Sequence, residues 1–136
     1  MKPDAPSRRA RAGARSRDTV PDRDAVERVF GVVSRYFGLL SQPTRLMILY
    51  SVCHEEKSVS RIVAETAATQ TNVSRHLALL HQAGMVNRRR VGATVYYQVA
   101  DPHFVEICRA LCMRIAGRME AGGRLHRDLL HFAAAR

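Results

Sequence analysis

Between Asp22 and Leu40 the apolar side chains Val26, Val29, Phe30, Val33, Phe37 and Leu40 recur at steps of three and four, the spacing of one helical face. Ser41-Gln42-Pro43 interrupts the pattern, and Pro43 suits the first turn of a second helix running from Thr44 to about His54. Ser58 is placed to cap a third helix over Val59–Thr66, with Ile62 and Val63 inward. After a short connection at residues 67–69, Thr69 caps a fourth helix from Gln70 to about Ala83, with Val73, Leu77 and Leu80 as its buried stripe. Gly84 supplies the left-handed stop.

Beyond Gly84 the period changes. Residues 86–91 and 94–99 read as two strands rich in β-branched and aromatic residues, with Gly92-Ala93 at the bend. Asp101-Pro102 opens a fifth helix from about His103 to Met119, striped by Phe104, Cys108, Leu111, Cys112, Ile115 and Met119. Gly122-Gly123 weakens its continuation, and residues 124–135 have the composition of a final helical tail. Helices around one hairpin predict a mainly α fold, a winged helix-turn-helix with a two-stranded β-wing.

That arrangement gives the polar positions a meaning. The start of the second helix of a helix-turn-helix enters the major groove, so it needs a short face able to hydrogen-bond bases. Gln70, Thr71, Asn72, Ser74 and Arg75, with His76 beside them, supply such a face; Asn and Gln pair with adenine and Arg with guanine. An ordinary solvated helix face would look similar. The three successive arginines Arg88, Arg89 and Arg90 tip the balance, because at least two must point to solvent from a strand. A basic ribbon beside a polar helix serves as a phosphate and minor-groove clamp.

Charge agrees with this reading. The 136 residues carry 22 Lys and Arg against 12 Asp and Glu, a net +10, which calls for a polyanionic partner. Residues 1–21 hold six of the basic side chains and two of the acidic ones, with almost no large apolar residue, and are expected to form a disordered basic tail. The organisation is then a tail over 1–21, a DNA-binding and dimerisation domain over 22–119 and a helical or flexible C-terminal tail over 120–136. The longest uncharged apolar stretch, residues 46–53, is far short of the ~20 residues that span a bilayer. With no secretory signal and an odd number of cysteines, a cytoplasmic protein with free thiols is expected. No Gly-rich phosphate loop, nucleophile elbow or catalytic carboxylate pair is present, which argues against an enzyme.

The stretch from Thr69 to Gly84, containing Val73-Ser74-Arg75-His76-Leu77, resembles the recognition helix of the ArsR/SmtB family of metalloregulatory repressors. The wing strand with Tyr96-Tyr97 resembles that family's wing at the same separation, and residues 43–49 resemble its second helix. The similarity covers about residues 30 to 118. It implies a homodimer joined through its first and last helices, which holds an imperfect palindromic operator of double-stranded DNA until an inducer binds.

The family's known ligand positions do not transfer cleanly. Its zinc type uses an Asp-x-His followed by later ligands on the last helix; here Asp101 and His103 match, but the later positions are Arg114 and Gly117. Asp101 reads more simply as a helix cap. Its arsenite type uses a Cys-x-Cys where this chain has Ser58 and Ser60. Its sulfide-responsive branch uses positions corresponding to Tyr50 and Ala116, neither a cysteine here. What remains is Cys108 and Cys112, four apart and therefore about 5–6 Å apart at Cβ on one helical face, with Cys53 at the end of the second helix.

Those three sulfurs predict a site for a soft ion, with As(III) or Sb(III) first and a thiophilic divalent ion next, in which His54, Glu106 and His103 are weaker candidates. Alternatively, Cys53 with Cys112 or Cys108 forms a regulatory disulfide or polysulfide link. The plainest alternative makes Cys108 and Cys112 small apolar packing residues. A nucleic-acid-binding module with no sensor is the remaining reading.

Overall fold

The computed structural model describes residues 22–135; the expected basic tail over 1–21 lies outside them. Helix α1, Arg23–Leu40, starts where the Asp22 carboxylate accepts the Ala25 N–H at 2.7 Å. Helix α2, Pro43–Ser51, has its proline in the first turn. Strand β1, Lys57–Ser58, leads into α3, Val59–Thr66, and α4, Gln70–Gln82, whose first turn is capped by Thr69 accepting the Asn72 N–H at 3.2 Å. The hairpin of β2, Val86–Val91, and β3, Thr94–Val99, is followed by α5, His103–Ala116, and α6, Arg124–Ala134. Gly84 at φ 74° and Gly92 at φ 60° occupy the left-handed conformations that end α4 and turn the hairpin. This is the winged helix-turn-helix that the sequence predicts.

Three details differ from expectation. Helix α2 stops at Ser51 rather than His54, because the next carbonyl, that of Val52, accepts the Val99 N–H at 3.1 Å. That bond ties the end of α2 to the sheet instead of continuing the helix. The sheet has three strands in the order β1-β3-β2, with Lys57 opposite Tyr97 and Ser58 opposite Tyr96. Two residues are too few to display an alternating pattern, so β1 left no periodic signal. Helix α5 ends at Ala116, three residues before Met119.

The core lies where α2, α3, α4 and the base of the hairpin meet. Ile48, Leu49, Val52, Ile62, Val73, Leu77 and Leu80 are wholly buried there, joined by Val86. Helix α1, despite its regular apolar stripe, buries none of its residues, and Phe30 and Phe37 are 64% and 65% exposed. Helix α5 buries Ala116 alone, leaving Ile107, Leu111 and Met113 more than half exposed.

A polar cluster holds the helix-turn-helix to the sheet. Ser51 donates to Glu65 Oε2 at 2.7 Å, Lys57 Nζ lies 2.8 Å from the same oxygen, and Arg61 Nε lies 2.8 Å from Oε1. These donors, Lys57 first, pull the Glu65 carboxyl down from its ordinary 4.5 to about 2. A depressed carboxylate contributes stability that is complete above its unfolded value and disappears as pH falls through the folded one. Urea midpoints measured from pH 6 downward should therefore lose this contribution between about pH 4.5 and 2, and Glu65→Gln should remove that part of the pH dependence.

Candidate nucleic-acid interface and thiol cavity

The apolar spacing of α4 sets which of its side chains are free. Because Val73, Leu77 and Leu80 point into the core, Gln70, Thr71, Ser74 and Arg75 are left exposed on the opposite side. Asn72 is half-buried and accepts a hydrogen bond from Arg75 Nη2 at 2.9 Å, which holds the guanidinium over the first turn. An open cleft lined by Ala67, Ala68, Thr69, Thr71, Asn72 and Arg75 lies at the head of this helix. Ala67 itself adopts a left-handed φ of 54°, the sharp bend that lets α3 and α4 cross.

His76 is a correction. It follows Arg75 in sequence but falls on the inner side of α4, 94% buried, with Nδ1 lacking any partner among the described residues. Burial first, then the nearby Arg45 and Arg75 cations, push its pKa down and favour the neutral ring. It supports the helix from within and does not face a ligand. The three-residue step from Val73 to His76 carried the signal of an inward side chain.

The wing arginines also divide. Arg88, Arg89 and Arg90 are all exposed, but successive strand residues face opposite ways. Arg88 and Arg90 share a face with Val86, and among the described residues neither makes an ion pair or side-chain hydrogen bond. Arg89, on the other face, lies 5.5 Å over the Tyr96 ring and donates to Glu56, with Nε 3.1 Å from Oε2. That hydrogen bond holds the Glu56 carboxyl below its usual range. Arg89 is thus held by Glu56 and Tyr96 in the described structure, whereas Arg88 and Arg90 have no such partner among the described residues. The sequence hid this because Glu56 is 33 residues away.

Glu56 belongs to a turn with two faces. On one side residues 52–58 hold the sheet, through Val52, the Glu56–Arg89 pair and β1. On the other, Cys53 borders an apolar cavity of about 610 Å³ between the end of α1, α2, α5 and α6. Cys108 and Cys112 line the same cavity, so the structure brings all three thiols to one place; all are free and half-buried. The rest of the wall is mainly apolar, including Phe37, Met47, Phe104 and Leu111. Phe132 of α6 closes one end, edge-on to Tyr50 at 5.2 Å between ring centres.

Burial pushes the Cys53 thiol up, opposed by the smaller pulls of Lys57 and Arg109. Burial also pushes Cys108 up, with the neighbouring sulfurs Cys112 and Cys53 adding to the effect. The expected three-sulfur ligand shell is not formed. Among the described residues no group of three or more His, Cys, Asp or Glu side chains is arranged to hold a metal ion. His103 and Asp101 form a cap instead of half a zinc site: Asp101 Oδ1 accepts the His103 N–H at 2.9 Å and stands 2.8 Å from its Nδ1.

A three-helix core with a helix-turn-helix, a polar outer helix face and a basic wing defines the class of winged helix-turn-helix regulators. Residues 42–88 match the family model described as bacterial regulatory protein, arsR family. The regulator KmtR of Mycobacterium tuberculosis is 34% identical over 86 residues, covering 63% of this chain and 65% of its own length. A probable mercury resistance operon repressor of Streptomyces lividans is 34% identical over 74 residues, covering 54% and 59%. A homodimeric winged helix-turn-helix DNA-binding domain, Mb0332 of Mycobacterium bovis, has the same fold, with a TM-score of 0.64 at 24% identity over 78% of this chain and 98% of that one. The chain belongs to the ArsR/SmtB family. It spans about three-fifths of the length of these curated relatives, which are transcriptional regulators and not enzymes. Among the described residues no helix is long and apolar enough to cross a membrane.

Proposed function

We propose that this protein is a homodimeric DNA-binding repressor, released from its operator by chemistry at the thiol cavity. The observation that carries the reading is the division of α4. Three wholly buried apolar residues fix its inner side, which leaves Gln70, Thr71, Ser74 and Arg75 outward in the same molecule that carries Arg88 and Arg90 on a wing, with no ion pair to either among the described residues. Helix side chains read base edges in the major groove while the wing cations meet phosphates. The bare apolar faces of α1 and α5 support a second copy as the partner. A twofold pair places two recognition helices about 34 Å apart, on successive grooves of a palindrome.

Regulation enters through Cys53, Cys108 and Cys112. The name of the Streptomyces lividans relative ties one member of the family to mercury resistance, which favours a thiol-directed inducer for this chain. Donors for As(III) or Sb(III) are not preassembled among the described residues. The inducer binds the weakly DNA-binding conformation better than the operator-bound one, and DNA weakens inducer binding to the same extent.

Titration of a palindromic duplex against a scrambled one at fixed salt tests the reading, since a purely electrostatic binder shows no preference. Arg75→Ala should cost roughly 1–3 kcal/mol of discrimination at one base position. An equal loss on every sequence refutes its role as a reader. Ser at Cys53, Cys108 or Cys112 should leave operator binding intact and impair release; full induction in all three variants rejects the thiol site.

A further inference from the structure

Asn72 and Arg75 lie one helical turn apart on α4 and are coupled. The Asn72 N–H is held by Thr69 Oγ1 at 3.2 Å, and its half-buried side chain lines the same cleft as Ala67 and Ala68 of the turn before the helix. Its Oδ1 accepts from Arg75 Nη2 at 2.9 Å. Because a guanidinium can only donate, this bond fixes the orientation of the amide, with the oxygen towards Arg75 and the nitrogen away from it. The two partners differ in freedom. Arg75 is exposed and carries a long side chain with many rotamers, whereas the shorter, half-buried Asn72 holds its tip over the first turn of α4, the end that enters the major groove in a helix-turn-helix. Among the described residues no carboxylate pairs with Arg75, so its charge and the rest of its fork stay available.

That orientation changes what the pair is able to read. Asparagine recognises adenine by accepting from N6 with its oxygen while donating to N7 with its nitrogen. Here the oxygen is taken by Arg75, and an adenine brought to the pair sets its N6 amine against guanidinium N–H groups, donor against donor. Guanine offers two acceptors, O6 and N7, to the same donors. A pair three residues apart on a helix adds little to stability, so its main effect is on the direction in which the fork is held.

We infer that Asn72 is a positioning residue for Arg75, that the two together select guanine in each half-site, and that Asn72 does not read adenine. The inference rests on the repressor reading, and the experiment separates the two.

The test uses the full chain and a pool of random-sequence duplexes, which are bound, recovered and sequenced. Wild type should enrich a palindrome with a guanine in each half-site, and Arg75→Ala should lose the preference at that position. On a duplex of the enriched sequence, adenine in place of this guanine in one half-site should weaken binding about 5–100-fold. Deazaguanine lacking the N7 acceptor should weaken it several-fold, and hypoxanthine, which keeps N7 and O6, should leave it unchanged. Asn72→Ala should reduce the guanine-over-adenine ratio several-fold with its circular dichroism unchanged, and should reduce it no further in an Arg75→Ala background. Asn72→Asp keeps an acceptor for Arg75 and should restore the ratio, while its added negative charge weakens binding to all duplexes alike. An undiminished ratio in Asn72→Ala, or an Arg75-dependent base other than guanine, overturns the inference and leaves the repressor reading in place. A pool that yields no enriched motif overturns both.

Discussion

Replacing Arg88 and Arg90 together with Ala should weaken operator binding by roughly 10²–10³-fold at 0.15 M salt while leaving the preference for operator over scrambled DNA almost unchanged. Both side chains are exposed cations on one face of β2 and make no ion pair among the described residues, so a dimer brings four of them to the duplex. Each phosphate neutralised contributes about 0.9 to the slope of log affinity against log salt, and the double variant should lose about 3–4 of that slope. Arg89→Ala is the contrast. Its guanidinium is occupied by Glu56 and Tyr96, so its loss should loosen the hairpin with little change in slope. A salt titration of the three proteins distinguishes them, and equal slopes for wild type and double variant refute the wing clamp.

Phe30→Asp combined with Phe37→Asp should produce a monomer whose operator affinity is about 10²–10⁴-fold lower, because two linked half-site contacts become independent ones. The physical basis is that α1 is an amphipathic helix with no buried residue and with these two rings more than half exposed. Contiguous apolar exposure of that kind is the mark of a partner surface. Sedimentation equilibrium measures the first effect and anisotropy the second. The variant should keep its helicity, since the core of α2, α3 and α4 contains no α1 side chain among its buried members. A dimer persisting in this variant refutes α1 as the interface.

Much of the fold was legible because each long element announces itself at its own period. The stripes of α1, α4 and α5, the caps Ser58 and Thr69, the stop at Gly84 and the bend at Gly92 all fell where local rules put them. Failures came where a distant partner decided a local outcome. Helix α2 ends early because Val99 takes the Val52 carbonyl, and β1 exists because β3 lies beside it. By residue type His76 groups with its polar neighbours, although helical phase turns it inward.

The division for the functional surfaces has the same cause. Sequence alone determined that this chain carries a polar-faced helix, a basic hairpin and a thiol pair one helical turn apart, since these depend on neighbours within a few residues. Tertiary structure decided that Arg89 pairs with Glu56 while Arg88 and Arg90 meet no carboxylate among the described residues, and that Cys53 lines the same apolar cavity as Cys108 and Cys112. Residue type and spacing dictate what a side chain is able to bind; only the packing of segments far apart in the chain dictates which partner reaches it first.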